Sequence, residues 1–418
     1  MSTENGNTHS VSRALGASHG EPARVVVLVQ RRLTHYRVPL FQKMRDKLAE
    51  SNIVLDLLVG EGTEEERQKR DAGHLDWAVK LPTRYFARGM ICWQPFDAHL
   101  RGTDLVVVTQ ENKLIYNHML LLGRRDFRLA FWGHAANLQA RNFKGPAESF
   151  KRWTTPRVDW WFSYTQMTTD LILRTGFPQD RITTLNNAVD TSGMRRQLAD
   201  IKDDEVSAVR QKLGLSDGPT GVFIGSLYVD KRLDFLIKAG REIRKRIPAF
   251  KLLIIGDGPL ANEVHQAAAR EPWIKWVGVK IGREKLTHLL CGDVMLLPAA
   301  VNLCILDSFT LGLPLITTDR PGHNPEFAYL KHGINGLMSA NGIAAYAAAV
   351  IGLLNNPAQR DELRRQCRIS AEYYTLENMA DHFCGGIVSA LAELPDSNGA
   401  TRQQDLTVST RNPIDTTQ

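Results

Sequence analysis

Three short stretches of this 418-residue chain place polar side chains where chemistry is done, at the end of a strand-like run or the start of a helix. In "FIGSLYVDKRLDFLIKA", Gly225 and Ser226 end an apolar run, and the cations Lys231 and Arg232 stand just before an apolar-periodic helix. Backbone N–H groups and cations at a helix start are what a diphosphate requires. In "AFWGHAANLQ", His134 lies one residue past a strand and its terminal glycine, on a loop and not in a core, so a substrate contact is expected. In "PAAVNLCILDSFTLGLPLITTD", Asp307 stands where a loop becomes a helix. The plainest reading of that aspartate is a charge favoured by the helix dipole.

Two further stretches invite a functional reading beside a structural one. "VQRRLTHYRVPLF" crowds Arg31, Arg32, His35 and Arg37 into one loop, either a cationic surface or a site for an anionic or polyhydroxylated substrate. "KLLIIGDGPLANEV" places Gly256, Gly258 and Ala261 in a G-x-G-x-x-A spacing after a strand. A dinucleotide site also needs an acid about 20 residues on, and "WIKWVGVK" has none there. A tight glycine turn at a helix start is therefore preferred over a nicotinamide or flavin site. "GHNPEFAYLKHGINGLM", with Glu326, Gly333 and Gly336, reads as a turn-rich loop able to close over a ligand.

The elements that must position these residues alternate. β-branched, doubly apolar runs typical of buried parallel strands occur at 24–30, 53–60, 105–110, 128–133, 160–164 and 182–187, with amphipathic or loop stretches between. After a charged stretch following Asp190, a second series appears in "GVFIGS", "KLLIIGDG", "IKWVGV", "DVMLLPA" and "PLITTD". Two parallel-sheet α/β domains in tandem are expected, binding ligand in a cleft beyond their strands' carboxyl ends. Their spans are 23–195 and 205–375, followed by a helix over 376–394 that crosses back to the first domain; disordered tails are expected at 1–22 and 395–418.

Composition narrows the partners. A net charge of +7 with pI near 9.1 suits a phosphate-bearing substrate or an anionic surface. Five scattered cysteines lack any metal or redox spacing and read as buried thiols in a reducing compartment. No signal peptide or membrane-length apolar run is present in the sequence given. "RNFKGPAESFKRW" (141–153) mixes Arg141, Lys144, Lys151 and Arg152 with Phe143, Phe150 and Trp153, a pattern equally suited to an anionic membrane surface or to ordinary loop and helix. Nucleic acid is disfavoured, since no motif of that class occurs.

Taken in order, "RITTLNNAVD", "FIGSLYVDKRLDFLIKA", "LLIIGDGP" and "LDSFTLGLPLITTD" resemble the successive signatures of the family 4 retaining glycosyltransferases (glycosyl transferases group 1), over about residues 24–390. The resemblance implies a GT-B fold, two Rossmann-like domains facing across a cleft. It implies sugar transfer, with retention, from a nucleotide-diphosphate sugar to an acceptor hydroxyl, no cofactor and no obligatory metal. By it, Gly225, Ser226, Lys231, Gly256, Gly278 and Asp307 are donor-binding, with Asp307 on the nucleotide ribose. His134 contacts the donor sugar, and Lys231 and Arg232 stabilise the leaving diphosphate; the crowded cationic loop itself, not the resemblance, suggests Arg31, His35 and Arg37 for the acceptor. A lipid-linked or cell-surface glycan precursor is the expected acceptor, reached from the cytoplasm at the inner membrane face, with 141–153 as the contact.

The pattern has two departures. Counting back eight places from Asp307 gives Ala299 where the family has a second carboxylate, so the contact to the donor sugar's hydroxyls must come from elsewhere. Ser226 stands where the family commonly has an arginine. A nucleotide-sugar epimerase of the same fold and an inactive nucleotide-sugar-binding member remain as alternatives.

Overall fold

The structure, a computed structural model, describes residues 22–68, 71–136 and 145–392. The two expected tails, and Arg141, Phe143 and Lys144 of the basic-aromatic segment, lie outside the described residues.

The first sheet is built from β1 (Arg24–Gln30), β2 (Ile53–Val59) and β3 (Val79–Lys80), then, beyond a small antiparallel hairpin of β4 (Arg84–Phe86) and β5 (Ile91–Trp93), from β6 (Leu105–Thr109), β7 (Arg128–Gly133), β8 (Trp160–Ser163) and β9 (Ile182–Thr184). Its order is β3-β2-β1-β6-β7-β8-β9, with every pairing parallel. Both faces are covered, which is why its strands read as continuous apolar runs. Val26 and Leu28 pack into one core layer, while Val27 and Val29 pack into the other.

The second sheet contains β10 (Thr220–Ile224), β11 (Lys251–Ile255), β12 (Ile274–Trp276), β13 (Val294–Leu296), β14 (Leu315–Thr318) and β15 (Gly336–Ser339), in the order β12-β11-β10-β13-β14-β15, again all parallel. The sequence reading gave this sheet five strands. The sixth, β15, came from a stretch read as a loop because its two glycines dominate the pattern.

In each sheet the strand order reverses at one point, between β1 and β6 and between β10 and β13, so the crevices open beyond those carboxyl ends. The loops after β1, β7, β10 and β13 carry Arg31–Arg37, His134, Gly225–Lys231 and Ala299–Asn302 respectively. The helix Ser192–Ala199, which the expected domain boundary at 195 cuts, packs against the helix Gly282–Leu290 of the second half. The C-terminal helix Leu376–Ala392 packs on the helix Val38–Glu50 and on the first sheet. There Phe383 stacks on Phe162 with ring centroids 4.4 Å apart. The contact is close enough that a Cβ at Gly386 would stand 2.3 Å from Thr183 Oγ1.

Candidate functional site

A cavity of about 420 Å³ lies between the two halves. Tyr36, Arg37, His134, Lys151, Tyr164 and Asn187 line it from the first, and Asn302, Leu303, Asn324, Pro325 and Glu326 from the second.

On the second half, two glycine turns abut. Gly256 and Gly258 have φ of +139° and +156°, and a Cβ at Gly256 would lie 1.9 Å from the Gly225 carbonyl oxygen. Only glycine tolerates this approach. The expected tight turn thus braces the loop that carries Gly225 (φ +148°) and exposed Ser226. Gly278 also has positive φ, and its carbonyl accepts from the Gly256 N–H at 2.8 Å.

Lys231 reaches across to the loop after β13, donating from Nζ to the Ala300 carbonyl at 3.1 Å. Arg232 does not follow it. Its backbone is left-handed (φ +55°), its guanidinium donates to Asn341 Oδ1 at 2.7 Å, and it stacks 4.1 Å from the Phe235 ring. The two adjacent cations therefore point to different partners, and Lys231 alone of the pair bridges to that loop.

Asp307 lies in the first turn of the helix Cys304–Leu311 and is 8% exposed. Both its oxygens accept from Lys285 Nζ, at 2.9 Å each. Burial pushes its carboxyl above the usual aspartate range, and the ammonium opposes that shift. Nothing in the local sequence pattern singles out Lys285, which comes from the helix Gly282–Leu290. Ala299, Ala300 and Val301 are buried, as expected where no carboxylate faces the cleft.

The loop after β14 clamps the loop after β13. His323 Nδ1 accepts from the Val301 N–H at 3.3 Å, and the Val301 carbonyl accepts from the Asn324 N–H at 3.2 Å. The other ring nitrogen of His323 pairs with the Thr318 carbonyl at 2.9 Å, and the ring stacks on Phe327 at 4.0 Å. Three residues on from His323 is Glu326, 4% exposed, whose Oε1 accepts from Asn187 Nδ2 of the first half at 2.6 Å. Burial raises its carboxyl above the usual glutamate range.

On the first half, His134 faces the cavity with its ring tilted on Tyr164, centroids 4.2 Å apart. The ring is open to the cleft, yet the surrounding walls desolvate it, and the charges of Lys151 and Arg37 add to the effect; its pKa falls to about 4. It is a neutral imidazole at physiological pH, able to donate from one nitrogen and accept at the other.

The loop cations behave differently from their sequence reading. Arg31, expected to face the acceptor, is held bidentate by Glu66 at 2.6 and 2.7 Å and is not in the cavity wall. Arg37 is 6% exposed and donates to Asn187 Oδ1 at 2.6 Å, stacked 5.4 Å from Trp132. A guanidinium taken out of water is costly unless its N–H groups find partners, so much of the hydrogen-bonding capacity of Arg31 and Arg37 is met internally. His35 is exposed, with Nδ1 3.2 Å from the Asp71 carbonyl. Asn187 joins the halves: it donates to Glu326, accepts from Arg37, and its carbonyl accepts from Tyr329 O–H at 2.9 Å.

This architecture is shared with solved proteins. The Anabaena HepE protein in complex with UDP superposes with a TM-score of 0.63 at 15% identity, covering 88% of this chain and 100% of that one. The fold is GT-B. Within it, residues 218–356, about a third of the chain, match the family model of glycosyl transferases group 1. The chain is also similar to an alpha-D-kanosaminyltransferase of Streptomyces kanamyceticus, 24% identical over 42% of this chain and 47% of that protein. It resembles a GDP-mannose-dependent alpha-(1-6)-phosphatidylinositol monomannoside mannosyltransferase of Mycolicibacterium smegmatis, 25% identical over 48% and 53% respectively. The matched region spans about half the length of these curated relatives. The matched residues contain the Gly225 turn, Lys231, Lys285, Asp307 and Glu326; of these Glu326 lines the cavity between the halves, and the others lie outside its wall. No helix among the described residues is long and apolar enough to cross a membrane.

Proposed function

We propose that this protein is a retaining glycosyltransferase that moves a sugar from a nucleotide-diphosphate sugar to an acceptor hydroxyl. The observation that carries the reading is the second half's braced glycine turn, from which Lys231 reaches to the loop after β13, the loop whose Asn302 faces His134 across the cavity between the halves, with the buried carboxylate of Asp307 on the helix that follows. Lys231 stabilises the charge that grows on the leaving diphosphate, where a preorganised cation has its largest effect. Asp307, oriented by Lys285, accepts from the vicinal ribose hydroxyls. His134 positions the transferred sugar and, being neutral, neither repels nor fixes the positive charge that develops on it. Domain closure expels water from the cavity.

The same reading takes a lipid-linked or cell-surface glycan precursor as acceptor, at an anionic membrane face. Support comes from exposed Phe150 and Trp153, stacked with centroids 5.9 Å apart beside Arg152 and Arg157. The M. smegmatis relative is named for a phosphatidylinositol-linked acceptor.

The test is thermal stabilisation by UDP-, GDP-, ADP-, TDP- and CMP-linked sugars, followed by product analysis. A donor at about one hundred times its dissociation constant adds roughly 2.7 kcal/mol. Asp307→Asn should lose that shift, and Lys231→Ala should lower turnover more than about tenfold, the loss of one charge-assisted contact at the transition state. If no sugar nucleotide stabilises the protein, the reading fails. A bound donor returned unchanged marks a binding protein, and one returned epimerised marks an epimerase.

A further inference from the structure

The cleft has a carboxylate that the donor motif does not predict. The loop after β13, where a sugar-binding acid is expected, offers Ala299, 2% exposed and apolar. Among the described residues lining the cavity, Glu326 is the only acid. We propose that Glu326, from the loop after β14, makes the carboxylate contact to the donor sugar's hydroxyls that Ala299 cannot.

Three observations support this placement, which rests on the donor-site reading above. First, the Glu326 loop is fixed to the defective loop: Val301 is held through both its N–H and its carbonyl by His323 and Asn324, and Thr318 Oγ1 donates to the Pro298 carbonyl at 2.9 Å. The acid therefore moves with the loop it substitutes for. Second, the Lys231 cation assigned to the donor is tied to the same loop: its Nζ donates to the Ala300 carbonyl at 3.1 Å, one residue before the Val301 that the Glu326 loop clamps. Third, the surrounding wall suits a polyhydroxylated ligand. It offers the amides of Asn187, Asn302 and Asn324 and, from the opposite side, the His134 imidazole.

The Asn187 amide orients the carboxylate through Oε1 at 2.6 Å. A carboxylate has about four lone-pair sites, so this contact leaves capacity for sugar hydroxyls. A purely structural role is the competing account, since the Glu326–Asn187 bond also joins the halves. The two differ in what they do to free nucleotide. A latch tightens nucleoside diphosphate and nucleotide sugar alike, whereas a sugar contact acts on the nucleotide sugar only.

The experiment measures dissociation constants for UDP with UDP-glucose and for GDP with GDP-mannose, on the full chain. Glu326→Gln keeps the side-chain shape and an oxygen for Asn187, but replaces an anionic acceptor. It should weaken the cognate nucleotide sugar by about 10- to 100-fold, in keeping with loss of a hydrogen bond to a charged group, with free nucleotide changed less than about twofold. Tyr329→Phe, which removes the interdomain bond to the Asn187 carbonyl and lies outside the cavity wall, should leave the ratio of the two constants unchanged. Equal weakening of nucleotide and nucleotide sugar in Glu326→Gln, or an unchanged pair, overturns the proposal while leaving the transferase reading intact. Where the thermal panel names another base, that nucleotide and its sugar form replace these pairs, and failure of wild type to bind any of the UDP-, GDP-, ADP-, TDP- and CMP-linked sugars overturns the two together.

Discussion

Replacing Lys285 with methionine isolates the Asp307 carboxylate without touching it. Lys285 Nζ lies 2.9 Å from both Asp307 oxygens, with the side chains only 24% and 12% exposed. Removing one member of a buried pair costs about 3–5 kcal/mol, because the remaining charge loses its partner but stays desolvated. The helix start offsets up to roughly 1 kcal/mol of this by its dipole. A net loss of about 2–4 kcal/mol is therefore expected at pH 8. Asp307 can escape the penalty by taking up a proton. Its folded-state pKa in the variant lies above the unfolded value of about 3.9, so the folded state holds the extra proton in that window. Stability of the variant consequently falls as pH rises, and its deficit against wild type is larger at pH 8 than at pH 5. Hydrogen exchange over peptides of the helix Cys304–Leu311 reads the opening free energy of this region apart from the other half of the molecule. Adding Asp307→Asn to the variant should recover much of the loss. A deficit under about 1 kcal/mol, or one that does not grow with pH, would refute the reasoning and leave the pair with the worth of a surface ion pair.

Gly256→Ala, which places a Cβ 1.9 Å from a carbonyl oxygen, should cost more than about 3 kcal/mol in the second half, while Gly278→Ala, with φ +68° and no heavy atom within 4 Å, should cost about 1–2; equal costs would contradict the abutting turns. The NMR resonance lost in His134→Gln should titrate near pH 4 in wild type. Because the unfolded ring titrates near 6.5, the neutral ring's contribution to stability is full above that pH and declines as pH falls toward 4; a midpoint at 6.5 would show the ring to be solvated. A Phe150→Ser, Trp153→Ser double variant should bind phosphatidylglycerol vesicles at least about fivefold more weakly than wild type, and equal binding would move the membrane face elsewhere.

Long β-branched runs such as "RVVVLVQ" and "LVVVT" announced their strands because both faces of each sheet are covered. The strands that escaped notice, β3, β4, β5 and β15, have two to four residues, and in β3 and β4 none is buried. Their stretches carry too little apolar signal to outweigh neighbouring glycines and prolines. His134 stood out in the sequence as a polar residue just past a buried strand, and Lys231 and Asp307 as charges at helix starts, which is where the structure places all three. Lys285 and Asn187 did not: their partners lie 22 and 139 positions away, and local spacing predicts neither a pair made by packing two helices of one half nor a bond made only where the two halves meet. Glu326 had a faint signal, an acid beside a proline in a turn-rich loop, and its weight became visible only once the cavity had walls on both sides. For Arg31 and Arg37, composition suggested free positive charge, but a crowded cationic loop on a packed sheet recruits internal partners first.

The C-terminal helix gives synthesis a clock. Cys384 on that helix meets the Met44 carbonyl of the first half's opening helix across 340 positions of sequence. At about 5–20 residues per second, the first sheet waits roughly 17–70 s between the emergence of its own helix and the arrival of the segment that covers it. For the last roughly 11–44 s of that interval, once Phe162 has been made, the apolar surface around Phe162 and Trp132, later sealed by Phe383, is open to whatever meets the nascent chain. A truncated transcript that stops short of residue 376 would therefore damage the half that was made first.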